Sequence, residues 1–184
     1  MRLSGKIIFA AMAIFGVSLA ASCEKEGTTY DRQEESIESL VKTLTSANDT
    51  AVVRYRKGST IVTTVPGHGD SLSSKGSVTL YYAGHYLNSG ALNAGNLFAT
   101  NLKDYATSAG WNLSDTTVFS ARTIRLGEDE IVEGLLNGLT GAKAGEERYV
   151  MFNGKHGFGD KGPRIIPKNS ALAYRLWIIE VSND

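Results

Sequence analysis

The sequence predicts an α+β fold, in which an antiparallel sheet is combined with a few short helices. Apolar and polar side chains alternate over short runs, and glycine- or proline-containing turns separate these runs. Helical spacing of apolar residues is confined to short segments. The clearest alternation is that of Val78, Leu80 and Tyr82 with Thr79 and Tyr81, which is typical of a half-buried strand.

The remaining elements follow from the same periodicities. Apolar side chains repeat at helical spacing in three segments, and these predict helices over residues 36–44, 101–110 and 128–137. Asn101 is the predicted N-cap of the middle helix and Gly110 its stop, while Gly138 is expected to end the last helix. Short apolar or alternating runs predict further strands around residues 52–53, 61–65, 117–126, 149–152 and 172–178.

The first 22 residues have the pattern of a signal peptide. Arg2 and Lys6 give a positive start, residues 7–21 are uncharged and mostly apolar, and small residues precede Cys23. The apolar run is shorter than the roughly 20 residues that a membrane-spanning helix needs. Residues 1–22 are therefore predicted to be removed from the mature protein.

Cys23 is the only cysteine of the chain, so an intramolecular disulfide is excluded. Its position after an apolar run resembles a bacterial lipobox, in which the cysteine is lipidated and becomes the new N-terminus. An ordinary secretory signal is the alternative. The charged residues that follow, from Glu24 to Glu26, resemble a surface-export tag of Bacteroidetes lipoproteins. An extracytoplasmic protein is expected, anchored by lipid to a bacterial membrane, at the outer membrane or cell surface.

The domain organisation expected is a signal peptide over 1–22, a lipid-anchored linker and N-terminal helix over 23–50, and one domain over 51–184. Within the second segment, residues 24–33 are interpreted as linker. Lys+Arg and Asp+Glu both number 19. The chain has no excess of basic residues, so its charge does not indicate a nucleic-acid partner.

The histidines and glycines give no sign of a metal or cofactor site. His68, His85 and His156 are scattered without metal-ligand spacing and are interpreted as surface or loop residues. Glycines at 157, 159 and 162 fit a dinucleotide-binding pattern, but Pro163 follows where that motif needs a helix. A loop is therefore predicted there, and no cofactor or metal is expected.

Five segments, taken in order, carry a resemblance to a known family. They are GSVTLYYAG (76–84), GNLFATN (95–101), LGEDEIVEGLLNGLTGAKAGEE (126–147), GFGDKG (157–162) and RIIPKNSALAYRL (164–176). Together they resemble the FKBP family of peptidyl-prolyl isomerases, over residues 52–181. The resemblance implies a curved antiparallel sheet wrapped around a short central helix, here with an extra helix in an insertion and an N-terminal helix.

The resemblance also implies an apolar cleft between helix and sheet. Leu135 would be its floor, the backbone N–H of Ile166 would donate to a substrate carbonyl, and the carbonyl of Glu130 would face the ligand. Carried over position by position, the residues that line the cleft are Tyr82, Phe98, Ile131, Val132, Leu135, Phe158, Ile165, Ile166 and Tyr174.

The chain departs from the family pattern at three positions of the cleft. Ala99 stands where the family usually has an aspartate, Phe158 replaces a tyrosine, and Arg122 stands near a wall phenylalanine. The segment 99–121 is also longer than in minimal members. These changes predict weak binding of immunosuppressant macrolides and reduced catalysis.

The expected function is isomerisation of X-Pro bonds in exported, proline-containing polypeptides, with a membrane contact through lipid on Cys23. The alternative is a non-catalytic FKBP-like peptide-binding or chaperone lipoprotein. A third reading is a purely structural domain whose insertion covers the cleft.

Overall fold

The computed structural model describes residues 17–113 and 118–183. These residues form a seven-stranded antiparallel sheet with three α-helices, which confirms the α+β prediction. The helices are α1 (Val17–Ala47), α2 (Lys103–Ser108) and α3 (Glu133–Leu139). The strands are β1 (Val52–Arg56), β2 (Ser59–Val65), β3 (Ser77–Leu87), β4 (Leu97–Thr100), β5 (Arg122–Arg125), β6 (Glu147–Phe152) and β7 (Ala171–Ser182). Residues 1–16 of the predicted signal peptide lie outside the described residues.

The sheet is arranged in the order β1-β2-β6-β7-β3-β4, with β5 paired to β3 beside β4. Strand β3 pairs with β7 along its whole length, from Ser77 to Leu87. Its other edge is shared, because β5 pairs with residues 77–80 and β4 with residues 83–85. The chain leaves the sheet after β4 and returns at β5, so the insertion starts and ends on the same strand edge.

Helix α3 lies directly against the inner face of the sheet. A Cβ added at Gly134 would lie 2.2 Å from Cγ of Phe152, and one added at Gly138 would lie 2.0 Å from Cγ1 of Val150. These two glycines are four residues apart and so share one helix face. Their lack of side chains lets the helix approach the sheet closely and places Leu135 next to the core.

A buried ion pair holds the C-terminal end of α3. Arg148 and Glu146 are paired, and both are buried. Nη1 of Arg148 also donates to the carbonyl oxygen of Gly138 at 2.7 Å, and the Glu146 carboxylate accepts from the Thr63 hydroxyl at 2.7 Å. A helix terminus needs such partners for its last carbonyl groups. The network therefore fixes α3 relative to β2 and β6.

The predicted start of α3 was wrong. The helix begins at Glu133 because Val132, with ψ of 145°, is extended and serves as the N-cap residue. Residues 128–130 belong instead to the turn after β5, where the Asp129 carboxylate accepts from the N–H of Arg125 at 2.9 Å. Gly138 does not end the helix, which continues to Leu139.

Helix α1 packs on the outer face of the sheet, where Ile37 and Leu40 are buried against Val62, Met151 and Ala173. Residues 24–33 are part of this helix, which the apolar periodicity did not predict, and their interpretation as linker stays a prediction. The segment lacks proline, and good helix formers occupy its two ends, residues 24–26 and 32–33. No helix among the described residues is long and apolar enough to cross a membrane.

The insertion also covers the outer face. The ring of Tyr105 in α2 lies edge-on to Trp177 at 5.6 Å and to His85 at 6.4 Å, and its hydroxyl accepts from Nη1 of Arg175 at 2.9 Å. His85 is consequently 3% exposed, which corrects its interpretation as a surface or loop residue. His68 is exposed in a loop, and His156 is half-buried in a short 3₁₀ turn.

Asn101 does not cap α2, because Leu102 occupies the N-cap position. Its side chain binds the backbone at the base of the insertion instead. Oδ1 accepts from the N–H of Tyr82 at 2.7 Å, and Nδ2 donates to the carbonyl oxygens of Leu80 at 3.1 Å and Ser120 at 2.8 Å. The amide thus joins the two ends of the insertion to β3, in the gap between β4 and β5.

Candidate active site

A cavity of about 580 Å³ lies between α3, the inner face of the sheet and the loop before β7. Every residue predicted for the cleft lines it: Tyr82, Phe98, Ile131, Val132, Leu135, Phe158, Ile165, Ile166 and Tyr174. The cavity wall also includes Leu80, Ala99, Arg122, Ile124, Glu130, Leu139, Pro163 and Leu176. Most of these side chains are apolar. The structure brings the predicted residues together, and their roles stay a prediction.

Aromatic rings form one side of the cavity. Phe98 meets Tyr174 at 5.6 Å and 90°, and it meets Phe158 at 6.3 Å and 81°. Phe152 stacks behind Tyr174 at 6.1 Å and 21°. Edge-to-face contacts of this kind stabilise the ring positions beyond simple burial. The rings therefore present a preformed apolar surface.

The strands place these rings by alternation along each chain. On β7, Leu172, Tyr174 and Leu176 face the inner core, while Arg175 and Trp177 face outward. Burial, with a smaller contribution from Tyr82, raises the pKa of the Tyr174 hydroxyl well above its usual value. Tyr174 consequently stays neutral at physiological pH.

The loop before β7 forms the opposite side of the cavity. Ile166 is buried, whereas Ile165 is 57% exposed at the mouth. The N–H of Ile166 donates to the carbonyl oxygen of Pro163 at 2.9 Å, as in a four-residue turn. In this structure the N–H of Ile166 is therefore engaged within the turn, and its role as donor to a substrate carbonyl stays a prediction.

Another backbone donor lies on the cavity wall, at the start of α3. Val132 lines the cavity and is the N-cap residue of α3. The first N–H groups of a helix have no carbonyl partner within that helix. The sequence pattern predicted a helix that starts at Glu128, so it did not indicate a donor at Val132. Apolar periodicity does not show that Val132, the residue before Glu133, is extended and not helical.

The three positions that depart from the family pattern by substitution all lie on this cavity. Ala99 and Phe158 line it, so neither position supplies a carboxylate or hydroxyl there. Arg122 lines it from β5. Among the described residues, no carboxylate lies within ion-pair distance of this guanidinium.

Acid–base and metal groups are sparse around the cavity. Nδ1 of His156 lies 3.0 Å from a carboxylate oxygen of Glu133, but neither residue lines the cavity. In the part of the chain that the structure describes, no group of three or more His, Cys, Asp or Glu could hold a metal ion. Glu130 contributes to the wall, in the turn before α3.

The insertion does not cover the cavity in its described part. Of residues 102–113 and 118–121, none lines the cavity wall. Tyr105 binds to the opposite face of the sheet, through Arg175 and Trp177. These contacts give no support to the reading in which the insertion closes the cleft.

Comparison with known proteins identifies the family. The model of the FKBP-type peptidyl-prolyl cis-trans isomerase family matches residues 69–179. The matched range contains α3 and the whole lining of the cavity. A search of curated proteins gives no significant match.

Solved structures share the fold. FkpA from Escherichia coli aligns with a TM-score of 0.55 and 18% identity, over 89% of this chain and 65% of its own length. A peptidyl-prolyl cis-trans isomerase from Pseudomonas syringae aligns with a TM-score of 0.53 and 16% identity, over 82% of this chain and 96% of its own. The structure of the three FKBP domains of wheat FKBP73 aligns with a TM-score of 0.56 and 14% identity, over 73% of this chain and 52% of its own. At these identities the likeness concerns the fold alone.

Proposed function

Because the chain belongs to the FKBP-type peptidyl-prolyl cis-trans isomerase family, we propose that it isomerises X-Pro peptide bonds in the cavity beside α3. The observation that carries the proposal is the wall of edge-to-face rings, formed by Phe98, Phe158 and Tyr174. Leu135, which is 8% exposed, closes the cavity beneath them. A proline ring is a small apolar group that suits such a space.

The chemistry needs no nucleophile. Rotation about the peptide bond has a barrier of about 20 kcal/mol because resonance gives the C–N bond partial double-bond character. The planar amide is more polar than the twisted one, and water stabilises the planar form more. An apolar, water-poor cavity therefore favours the twisted transition state over the ground state.

One backbone donor would orient the substrate. The N–H of Val132 lies at the start of α3, where a carbonyl of the bound peptide is the natural acceptor. The N–H of Ile166 can contribute only if its 2.9 Å bond to the carbonyl of Pro163 opens. Substrate binding through Val132 avoids that rearrangement.

Reduced catalytic activity is part of the proposal. Ala99 and Phe158 leave the cavity wall without the carboxylate and hydroxyl that the family resemblance implies. Each missing hydrogen bond to a substrate or to a wall residue is a loss of about 0.5–1.5 kcal/mol. Most of the apolar wall is kept, so catalysis is lowered and not abolished.

Exported polypeptides are the proposed substrates, with the protein held at a bacterial membrane by lipid on Cys23. The support is the sequence pattern that precedes Cys23. Metabolic labelling with a radioactive fatty acid should label the wild-type chain and leave Cys23→Ser unlabelled. Equal labelling of both chains would reject lipidation at this cysteine.

Exchange spectroscopy tests the isomerase activity. The full chain in a mild detergent is added to a blocked Ala-Leu-Pro-Ala peptide, and the cis–trans exchange rate is measured by NMR. Acceleration above the uncatalysed rate is expected. An unchanged rate with a folded protein would reject the proposal.

A non-catalytic peptide-binding module is the second candidate. Two observations favour it: the N–H of Ile166 is already engaged, and Ala99 removes a polar group from the cavity wall. This candidate predicts that the peptide shifts the NMR signals of cavity residues without faster exchange. The same experiment therefore separates the two functions.

A further inference from the structure

Arg122 is the one cationic side chain on the cavity wall in the described residues. Strand β5 pairs with β3 in a regular register, with Arg122 opposite Leu80 and Ile124 opposite Val78. Both Arg122 and Ile124 line the cavity, whereas the hydroxyl of Thr123 bonds to that of Thr79 at 2.9 Å. Alternation along the strand thus directs Arg122 to the cavity side.

The position of Arg122 is fixed by the base of the insertion. Nδ2 of Asn101 donates to the carbonyl of Ser120 at 2.8 Å and to that of Leu80 at 3.1 Å. These bonds hold the chain two residues before Arg122 against β3. The guanidinium is therefore carried by an anchored strand at the rim of the cavity.

The charge of Arg122 is not neutralised by a neighbour. Among the described residues, Arg122 takes part in no ion pair and has no other polar partner. Ala99, which pairs with Gly84 on the same edge of β3, offers no carboxylate. An exposed guanidinium beside an apolar cavity is a ready partner for an anionic group of a ligand.

Glu130 is the one acidic residue on the wall in the described part of the chain, and it could compete with a ligand carboxylate for Arg122. It lies in the turn before α3 and does not pair with Arg122 within 4.0 Å. Nearby Asp129 is engaged by the N–H of Arg125 at 2.9 Å. Glu130 and Arg122 thus form no ion pair, and a ligand carboxylate can bind Arg122 without displacing an existing partner.

We propose that Arg122 makes this protein select X-Pro bonds in which X, the residue before proline, is acidic. This inference rests on the proposed isomerase function and names its substrate class. The side chain of X is carried by the Cα next to the carbonyl of the amide that is twisted in the cavity. Its carboxylate therefore remains near the rim while the proline ring occupies the apolar interior, and the contact with Arg122 lasts through the transition state.

The test is exchange spectroscopy with the full chain in detergent and four peptides, acetyl-Ala-X-Pro-Ala-amide, in which X is Glu, Gln, Leu or Lys. Blocked ends leave X as the one charged group. With each rate divided by its uncatalysed rate, we expect kcat/KM for Glu to exceed that for Gln by about two- to fivefold, as for an exposed ion pair. The preference should vanish near 1 M NaCl, where the screening length is about 3 Å.

Substitutions test whether Arg122 causes the preference for an acidic residue before proline. Arg122→Met should abolish the preference of Glu over Gln, and Arg122→Glu should turn it into a preference for Lys. Arg125→Met is the matched control, because Arg125 is exposed on the same strand but does not line the cavity. It should keep the wild-type preference.

The outcomes separate the two proposals. No acceleration of any peptide, Leu included, would reject the isomerase function and the inference with it. Acceleration of the Leu peptide without a Glu preference, or with a preference that Arg122→Met leaves intact, would overturn the inference alone. A wild-type preference for Lys would assign selection to Glu130 and overturn it as well.

Discussion

The ring of Phe98 lies edge-on to the ring of Tyr174, with 5.6 Å between centroids and 90° between ring planes. This contact depends on Gly84 in the middle of β3. A Cβ added there would lie 2.9 Å from Cζ of Phe98 and 2.9 Å from Cε1 of Tyr174. The missing side chain at Gly84 therefore makes room for the aromatic wall of the cavity.

Gly84→Ala should displace both rings. We expect the free energy of unfolding to fall by about 1–3 kcal/mol, as for other overpacked sites. X-Pro exchange should fall by about tenfold, which corresponds to 1.4 kcal/mol of transition-state stabilisation. Urea unfolding and exchange spectroscopy measure the two effects. Gly27→Ala, whose Cβ would meet no atom within 4 Å, is the control; it lies in helix α1 and should leave exchange unchanged and not lower stability. Unchanged exchange in Gly84→Ala would show that the ring geometry is not needed.

Asn101→Ala should destabilise the base of the insertion. It leaves the N–H of Tyr82 and the carbonyl of Leu80 without their side-chain partner. A buried polar group that loses its partner costs about 1–3 kcal/mol, and urea unfolding should show a decrease of this size. Asn88→Ala, at an exposed position, should change stability by less than about 0.5 kcal/mol. Equal effects of the two substitutions would contradict the role assigned to Asn101.

His85 should make the protein less stable in acid. Burial lowers its pKa from 6.5 to about 4. Below pH 6.5 the unfolded chain binds a proton that the folded chain does not, so stability is lost as the pH falls from 6.5 to 4. The loss attributable to His85 is at most about 3 kcal/mol, at 1.36 kcal/mol for each pKa unit.

Urea unfolding at pH 7 and pH 4.5 measures this loss in the wild type and in His85→Gln. The wild type should lose more stability than the variant between the two pH values. His68→Gln, at an exposed position, is the control and should behave like the wild type. Parallel losses in wild type and His85→Gln would reject His85 as the group responsible.

Substitutions that place a carboxylate and a hydroxyl on the cavity wall should raise the catalytic rate. In the double variant Ala99→Asp with Phe158→Tyr, kcat/KM for a Leu-Pro peptide is expected to rise by about two- to tenfold, the effect of one hydrogen bond. Ala91→Asp adds the same charge at an exposed position away from the cavity and should have no effect. A fall or no change in the double variant would contradict the proposal that the lack of these polar groups lowers activity.

Much of the fold could be predicted because a strand with one buried face alternates apolar and polar side chains along the sequence. Leu172, Tyr174, Leu176 and Ile178 repeat every second residue and all lie in the inner core. The residues of the cavity could be grouped because ordered segments resemble one family, although alternation alone would not have selected them. Their functional roles remain predictions.

Other features depend on tertiary contacts that leave no local signal. His85 reads as an ordinary polar residue, and it is buried only because Tyr105 folds back over the outer face. Asn101 has the residue type of an N-cap, but the gap between β4 and β5 offers its amide more partners than α2 does. The start of α3 was misplaced because an acidic turn and an acidic first helical turn have the same composition.

The most direct test places a charge in the floor of the cavity. Leu135→Arg should abolish the acceleration of X-Pro exchange, because a buried guanidinium removes the apolar space for the proline ring. Ile179→Arg, at a position 52% exposed on β7, introduces the same side chain away from the cavity. We predict wild-type exchange rates for Ile179→Arg and the uncatalysed rate for folded Leu135→Arg. Full acceleration by folded Leu135→Arg would contradict the assignment of catalysis to this cavity.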